Sequence, residues 1–193
     1  MAAAAIVQNP PVPQPIAPPR DCCYYAQLAL VVAGIALGAL ASSTFAIGVS
    51  CGIVESLVFF SIVVLASYYT EIHLVTSHHD VFLRTCVSPT LEEIFFRGLI
   101  QPLAEMSLAY ALPAVTVEIF GATLTLAAIV AITTTALIFG LAHLYNSRPG
   151  SNIQAIHAAI GSIALSLLAV RVGLAASIAM HVVHNTATAI VIH

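Results

Sequence analysis

Between Cys22 and Val54 the chain carries no charged residue, and histidines apart the same holds for 119–147, 149–170 and 172–193. Each stretch exceeds the roughly 18 apolar residues that suffice to cross a bilayer as a helix. A water-soluble domain has no use for so many uncharged runs, because its surface must stay solvated. Only 7% of the 193 residues are charged while 60% are hydrophobic, against about 25% charged in soluble domains. The expected fold class is therefore all-α: a polytopic membrane helix bundle of about six transmembrane helices.

Charge gaps and helix breakers place the spans at about 24–46, 49–71, 89–110, 122–145, 153–170 and 173–192. Ahead of them, residues 1–22 form a proline-rich tail containing PPVPQPIAPP, too rich in proline to be helical. The opening MAAAAIV lacks a basic n-region, so no cleaved signal peptide is expected. With the N-terminus inside, Arg20, Arg84 and Arg148 fall on the cytoplasmic side and Arg171 outside, as the positive-inside rule favours. Both termini are then cytoplasmic.

Five basic residues, all arginine, and a net charge of −3 argue against a nucleic-acid partner. Cys22, Cys23, Cys51 and Cys86 match neither zinc-ligand nor secreted-disulfide spacing. They read as small apolar residues, with acylation at Cys22 and Cys23 the alternative. His73, His78 and His79 read as a solvated loop, and His157 carries no assigned function.

Against this background LEEIFFRGL, residues 91–99, stands out. Capping offers one account of it: Ser88 as N-cap with Pro89 at N1, or Thr90 as N-cap with Glu93 closing a capping box. Glu93 and Arg97, four apart, suit an ion pair. Neither device uses Glu92, which points about 100° away from Glu93 around the helix. FGLAH at 139–143 puts Phe139 and His143 on one face, and HVVHN at 181–185 does the same for His181 and Asn185, with His184 only partly sharing it. In the expected topology these groups meet in the cytoplasmic half of the bilayer, where isolated polar groups are costly.

Amide hydrolysis would use such a set. A carboxylate in an apolar site can deprotonate water while a histidine holds it, which suits Glu92 and His143. Fixed donors to the oxyanion suit His181 and Asn185. EExxxR at 92–97, FxxxH at 139–143 and HxxxN at 181–185, in that order, resemble the CAAX protease and bacteriocin-processing family of intramembrane endopeptidases. The resemblance covers about residues 88–190 of a domain expected over 23–193.

What the resemblance implies is a glutamate-type endopeptidase cutting a peptide or membrane-protein substrate in or beside the lipid. Glu92 would activate water held by His143, Glu93 and Arg97 would support the site, and His181 with Asn185 would form the oxyanion hole. The two glutamates could exchange roles. No cofactor is expected; the alternative is zinc on Glu92, His143 and His181, although no HExxH is present. Relative to the family, two spans before the first motif are few, and the chain stops at His193. GxGD and GxSG, the marks of aspartyl and serine intramembrane proteases, are missing. Two other classes stay open: a non-catalytic membrane scaffold or bacteriocin-immunity factor, and a proton or ion carrier.

Overall fold

The computed structural model describes residues 22–67, 81–144 and 151–191. The proline-rich tail, the loop histidines, Arg20 and Arg148 lie outside the described residues. Among the described residues seven α-helices follow in order: α1 (Cys22–Ala41), α2 (Ser43–Ser67), α3 (Ser88–Phe95), α4 (Gln101–Ala109), α5 (Leu126–Leu144), α6 (Ser151–Arg171) and α7 (Leu174–Val191). The helical bundle expected from the apolar runs is what forms. Among the described residues, three helical stretches are long and apolar enough to cross a membrane, namely Ser43–Ser61, Leu126–Leu144 and Asn152–Arg171, and Tyr25–Ala41 is a shorter apolar one.

The bundle exposes large apolar side chains and buries a set of polar ones beside its alanine-rich core. Leu30, Leu40, Ile53, Leu57, Leu137 and Ile160 are exposed, whereas Glu93, Arg97, Gln101, Ser162, Ser166 and Ser177 are buried. That inversion suits lipid surroundings, where aliphatic side chains face the solvent and polar groups satisfy one another inside. Close helix approach depends on missing side chains. A Cβ at Gly52 of α2 would stand 2.6 Å from the Met180 carbonyl of α7, and one at Gly140 of α5 would stand 2.7 Å from Ala159 Cβ of α6.

Several boundaries differ from those expected. The first two spans meet at Ser42, not near 47, because the Ser42 hydroxyl accepts the Phe45 N–H and caps α2. Residues 122–125, expected to open a helix, form β2 (Ala122–Thr125), paired antiparallel with β1 (Thr116–Ile119). Phe120 and Gly121 turn this hairpin with φ of 49° and 73°, the conformation that tight hairpin turns require. Thr125 accepts the Ala128 N–H at 3.0 Å and so caps α5. At the far end of α6, Gly173 adopts φ 123° and its N–H reaches the Leu168 carbonyl, stopping the helix.

The region holding the glutamates departs most. Helix is continuous from Val81, so neither Ser88 nor Thr90 is an N-cap. The Thr90 hydroxyl instead donates back to the Cys86 carbonyl at 2.6 Å, and the capping-box account of Glu93 is overturned. Two π-helical turns, Leu83–Val87 and Phe96–Ile100, bracket α3. Each contains the residue four before a proline, Thr85 for Pro89 and Gly98 for Pro102. Proline has no N–H for that carbonyl and its ring crowds it, so the turn widens. A wider turn rotates less per residue, which keeps Glu93, Arg97 and Gln101 together on the buried face.

Candidate active site

Glu93 is wholly buried and fully engaged. Its Oε1 takes an ion pair from Arg97 Nη1 at 3.0 Å and lies 2.9 Å from His181 Nδ1. Its Oε2 accepts the Ser177 hydroxyl. Arg97 spends Nη2 on the Ser162 hydroxyl and backbone carbonyl. The guanidinium carbon also lies 4.8 Å from the centroid of the Phe139 ring, a cation–π distance. One buried carboxylate thus ties α3 to α7, and through Arg97 the adjacent π turn to α5 and α6. Neutralising partners on every side are what a charge in an apolar interior requires.

Glu92 differs in every respect. Its side chain is 32% exposed, and it accepts the Ser88 hydroxyl at 2.7 Å. His181 Nε2 lies 3.8 Å from its Oε2, too far for a direct hydrogen bond. A carboxylate only accepts, so His181 Nδ1 is the N–H donor to Glu93 and the ring is held with Nε2 turned to Glu92.

Phe139 stands between the two histidines. Its ring centroid is 4.7 Å from His143 and 6.0 Å from His181. His143 Nδ1 lies 2.8 Å from the Phe139 carbonyl; the carbonyl accepts, so Nδ1 carries the proton and a neutral ring leaves Nε2 as acceptor. Asn185, one turn along α7 from His181, donates Nδ2 to the Arg84 carbonyl at 3.1 Å. That is an interhelical hydrogen bond to the first π turn, and it leaves one amide proton and the amide oxygen.

The structure therefore gathers Glu93, Arg97 and His181 into one hydrogen-bonded network, with Glu92 3.8 Å from His181, and sets His143 beside it across Phe139. Asn185 sits at its edge, joined to the first π turn. Ser177 and Ser162, which hold the Glu93–Arg97 pair, were not singled out in the sequence. Nothing local marks them, since a serine in an apolar helix usually bonds its own backbone, as Ser56 does with Gly52.

Among the described residues, one group of three His, Cys, Asp or Glu side chains brings its ligand atoms within 4.8 Å of one another: Glu55, His157 and His184. Glu92, His143 and His181, the alternative zinc set, do not converge to that distance. Glu55 also went unremarked in the sequence. A lone glutamate inside an apolar span is itself a functional signal, and that signal was available.

Comparison with curated proteins and with solved structures gives no match. A family model described as type II CAAX prenyl endopeptidase Rce1-like matches residues 75–187, a stretch that includes Glu92, Glu93, Arg97, His143, His181 and Asn185. With more than half of its length inside that match and, among the described residues, three helices fit to cross a bilayer, the chain is an integral membrane protein and belongs to the Rce1-like family of type II CAAX prenyl endopeptidases.

Proposed function

We propose that the protein hydrolyses a peptide bond in or beside the bilayer by a glutamate-activated water, with Glu92 as the base. The observation that carries this reading is the unequal state of two adjacent carboxylates. Glu93 is committed to Arg97, Ser177 and His181, whereas Glu92 faces partly outward with a single hydroxyl partner. Membership of the family supports protease activity in general.

Water bound at Glu92 Oε2, with His143 Nε2 as its second acceptor, loses a proton to Glu92 as its oxygen attacks the scissile carbonyl. The oxyanion that forms is met by donors from α7. The remaining Asn185 amide proton is one; His181 supplies the other when Nε2 also carries a proton. Glu92, now protonated, passes its proton to the leaving nitrogen as the C–N bond breaks, which returns the site to its starting state. Glu93 and Arg97 hold His181 in register throughout. The substrate is a peptide or membrane-protein segment reached from the lipid, with a prenylated C-terminus the class that the family description names.

The hydrogen bond from Asn185 to the Arg84 carbonyl also favours a second reading, a non-catalytic scaffold in which the polar cluster serves packing. Glu92→Gln separates the two. Peptide termini are compared in membranes of matched cells expressing wild type or Glu92→Gln at equal abundance. New termini next to membrane segments, found only with the wild type, are expected. Identical profiles from two folded proteins that share a phenotype would instead establish the scaffold.

A further inference from the structure

Further along α7 from Ser177 and His181, which hold Glu93, three helices bring together Glu55 of α2, His157 of α6 and His184 of α7. Glu55 Oε1 lies 3.0 Å from His157 Nε2, and Glu55 Oε2 lies 2.5 Å from His184 Nδ1. The two imidazoles stack, with centroids 5.0 Å apart and an interplanar angle of 27°, so both present a nitrogen to the same carboxylate. Phe59 packs against both rings, at 4.2 Å and 5.2 Å. The three side chains are 14–21% exposed, which leaves an edge open.

We propose that Glu55, His157 and His184 form a second site, which binds one divalent transition-metal ion of the zinc class. Close as they are, Glu55 Oε2 and His184 Nδ1 make no hydrogen bond with each other or with any other group, and both atoms are buried. Two buried atoms with lone pairs and no hydrogen-bond partner, converging with a third ligand atom within 4.8 Å, form a set that a small shift of the side chains closes around one cation. Two imidazoles and one carboxylate suit zinc and its neighbours rather than magnesium or calcium, which take oxygen. Three protein ligands with an open edge leave a fourth position for water.

The ion joins α2 to the consecutive helices α6 and α7, and fixes α7 at His184, next to Asn185 and three residues after His181. It is distinct from the proposed hydrolytic centre: Glu55 lies outside residues 75–187, which carry the family match, and none of the three ligands takes part in the hydrolysis. The ion's role is to hold the helices, and its readout is metal content and thermal stability.

The test uses the full-length protein in detergent, loaded with Zn²⁺, desalted and assayed by elemental mass spectrometry. Wild type and Glu92→Gln are expected to retain one zinc per chain, and Glu55→Gln and His157→Ala/His184→Ala to fall to the buffer background. Chelation should lower the melting temperature of the wild type but not that of Glu55→Gln. Co²⁺ titration of chelated wild type needs no variant; a visible absorption saturating at one equivalent and reversed by Zn²⁺ is expected. Wild type that stays metal-free and gives no saturable Co²⁺ spectrum would overturn the proposal, leaving a metal-free His–Glu–His contact. Zinc lost by Glu92→Gln yet kept by Glu55→Gln would overturn it too, by moving the ion to the other cluster. Because Glu92→Gln removes the proposed hydrolysis without touching these ligands, failure of one idea is read separately from failure of the other.

Discussion

His181 turns Nδ1 to Glu93 Oε1 at 2.9 Å, across 88 residues of sequence. This contact fixes which ring nitrogen is left to face Glu92, and it makes Glu93 the residue that orients the histidine. The adjacent glutamates therefore differ in what their removal should do.

Glu92→Gln keeps the acceptor for Ser88 and buries no new charge, so the protein should fold with a stability change within about 0.5 kcal/mol. Peptide cleavage should fall by about 10²–10⁴-fold, the usual contribution of a positioned base. Cleavage of a reporter and thermal unfolding, measured on the same preparation, check both halves.

Glu93→Gln should behave in the opposite way, because it leaves the buried Arg97 guanidinium without its counter-charge. Breaking a buried pair from one side costs about 3–5 kcal/mol. Arg97→Gln should cost a similar amount, and the double variant less than the sum of the two. Unfolding midpoints of the three variants give the coupling directly, and additive losses would contradict it.

Ser177→Ala removes the hydroxyl that donates to Glu93 Oε2 and leaves one carboxylate oxygen short of a donor. A hydrogen bond to a charged group contributes about 1.5–3 kcal/mol, so stability should fall by that order. Activity should fall less than in Glu92→Gln, since the Arg97 and His181 contacts remain. Ser177→Thr, which retains the hydroxyl, should recover more of the lost stability than Ser177→Cys.

Gly140→Leu should separate α5 from α6, because the first added carbon already stands 2.7 Å from Ala159 Cβ and 2.8 Å from the Ala155 carbonyl. Overpacking of this kind typically costs about 1–3 kcal/mol. Gly34, inside α1, has nothing within 4 Å of an added Cβ, so Gly34→Ala should hold or raise the melting temperature and serves as the control.

The charge-free runs were enough to read the membrane bundle, and the junction of α6 and α7 fell where Gly173 and the charge of Arg171 suggested. The i, i+4 spacing of Glu93 and Arg97 foretold their ion pair for a local reason: residues four apart on a helix are neighbours. The hairpin at 116–125 was missed because ATLT is as apolar as a helix start, and its strand pairing depends on a partner segment and on positive φ at Phe120, an unusual residue for that conformation. The continuous helix before Pro89 was missed because a Ser-Pro pair resembles a start signal, while the bundle tolerates proline by widening the turn.

By itself, the sequence determined the solvent this protein folds in, the order of its apolar helices and the three segments that carry the EExxxR, FxxxH and HxxxN motifs. Those follow from hydropathy and from contacts within one or two turns. Only the tertiary structure decided that Glu93 is the buried carboxylate and Glu92 the partly open one, that Asn185 holds the Arg84 carbonyl, and that Glu55 meets His157 and His184. Each depends on how one helix is rotated against another, and that rotation is set by glycine contacts and π turns acting together across the bundle.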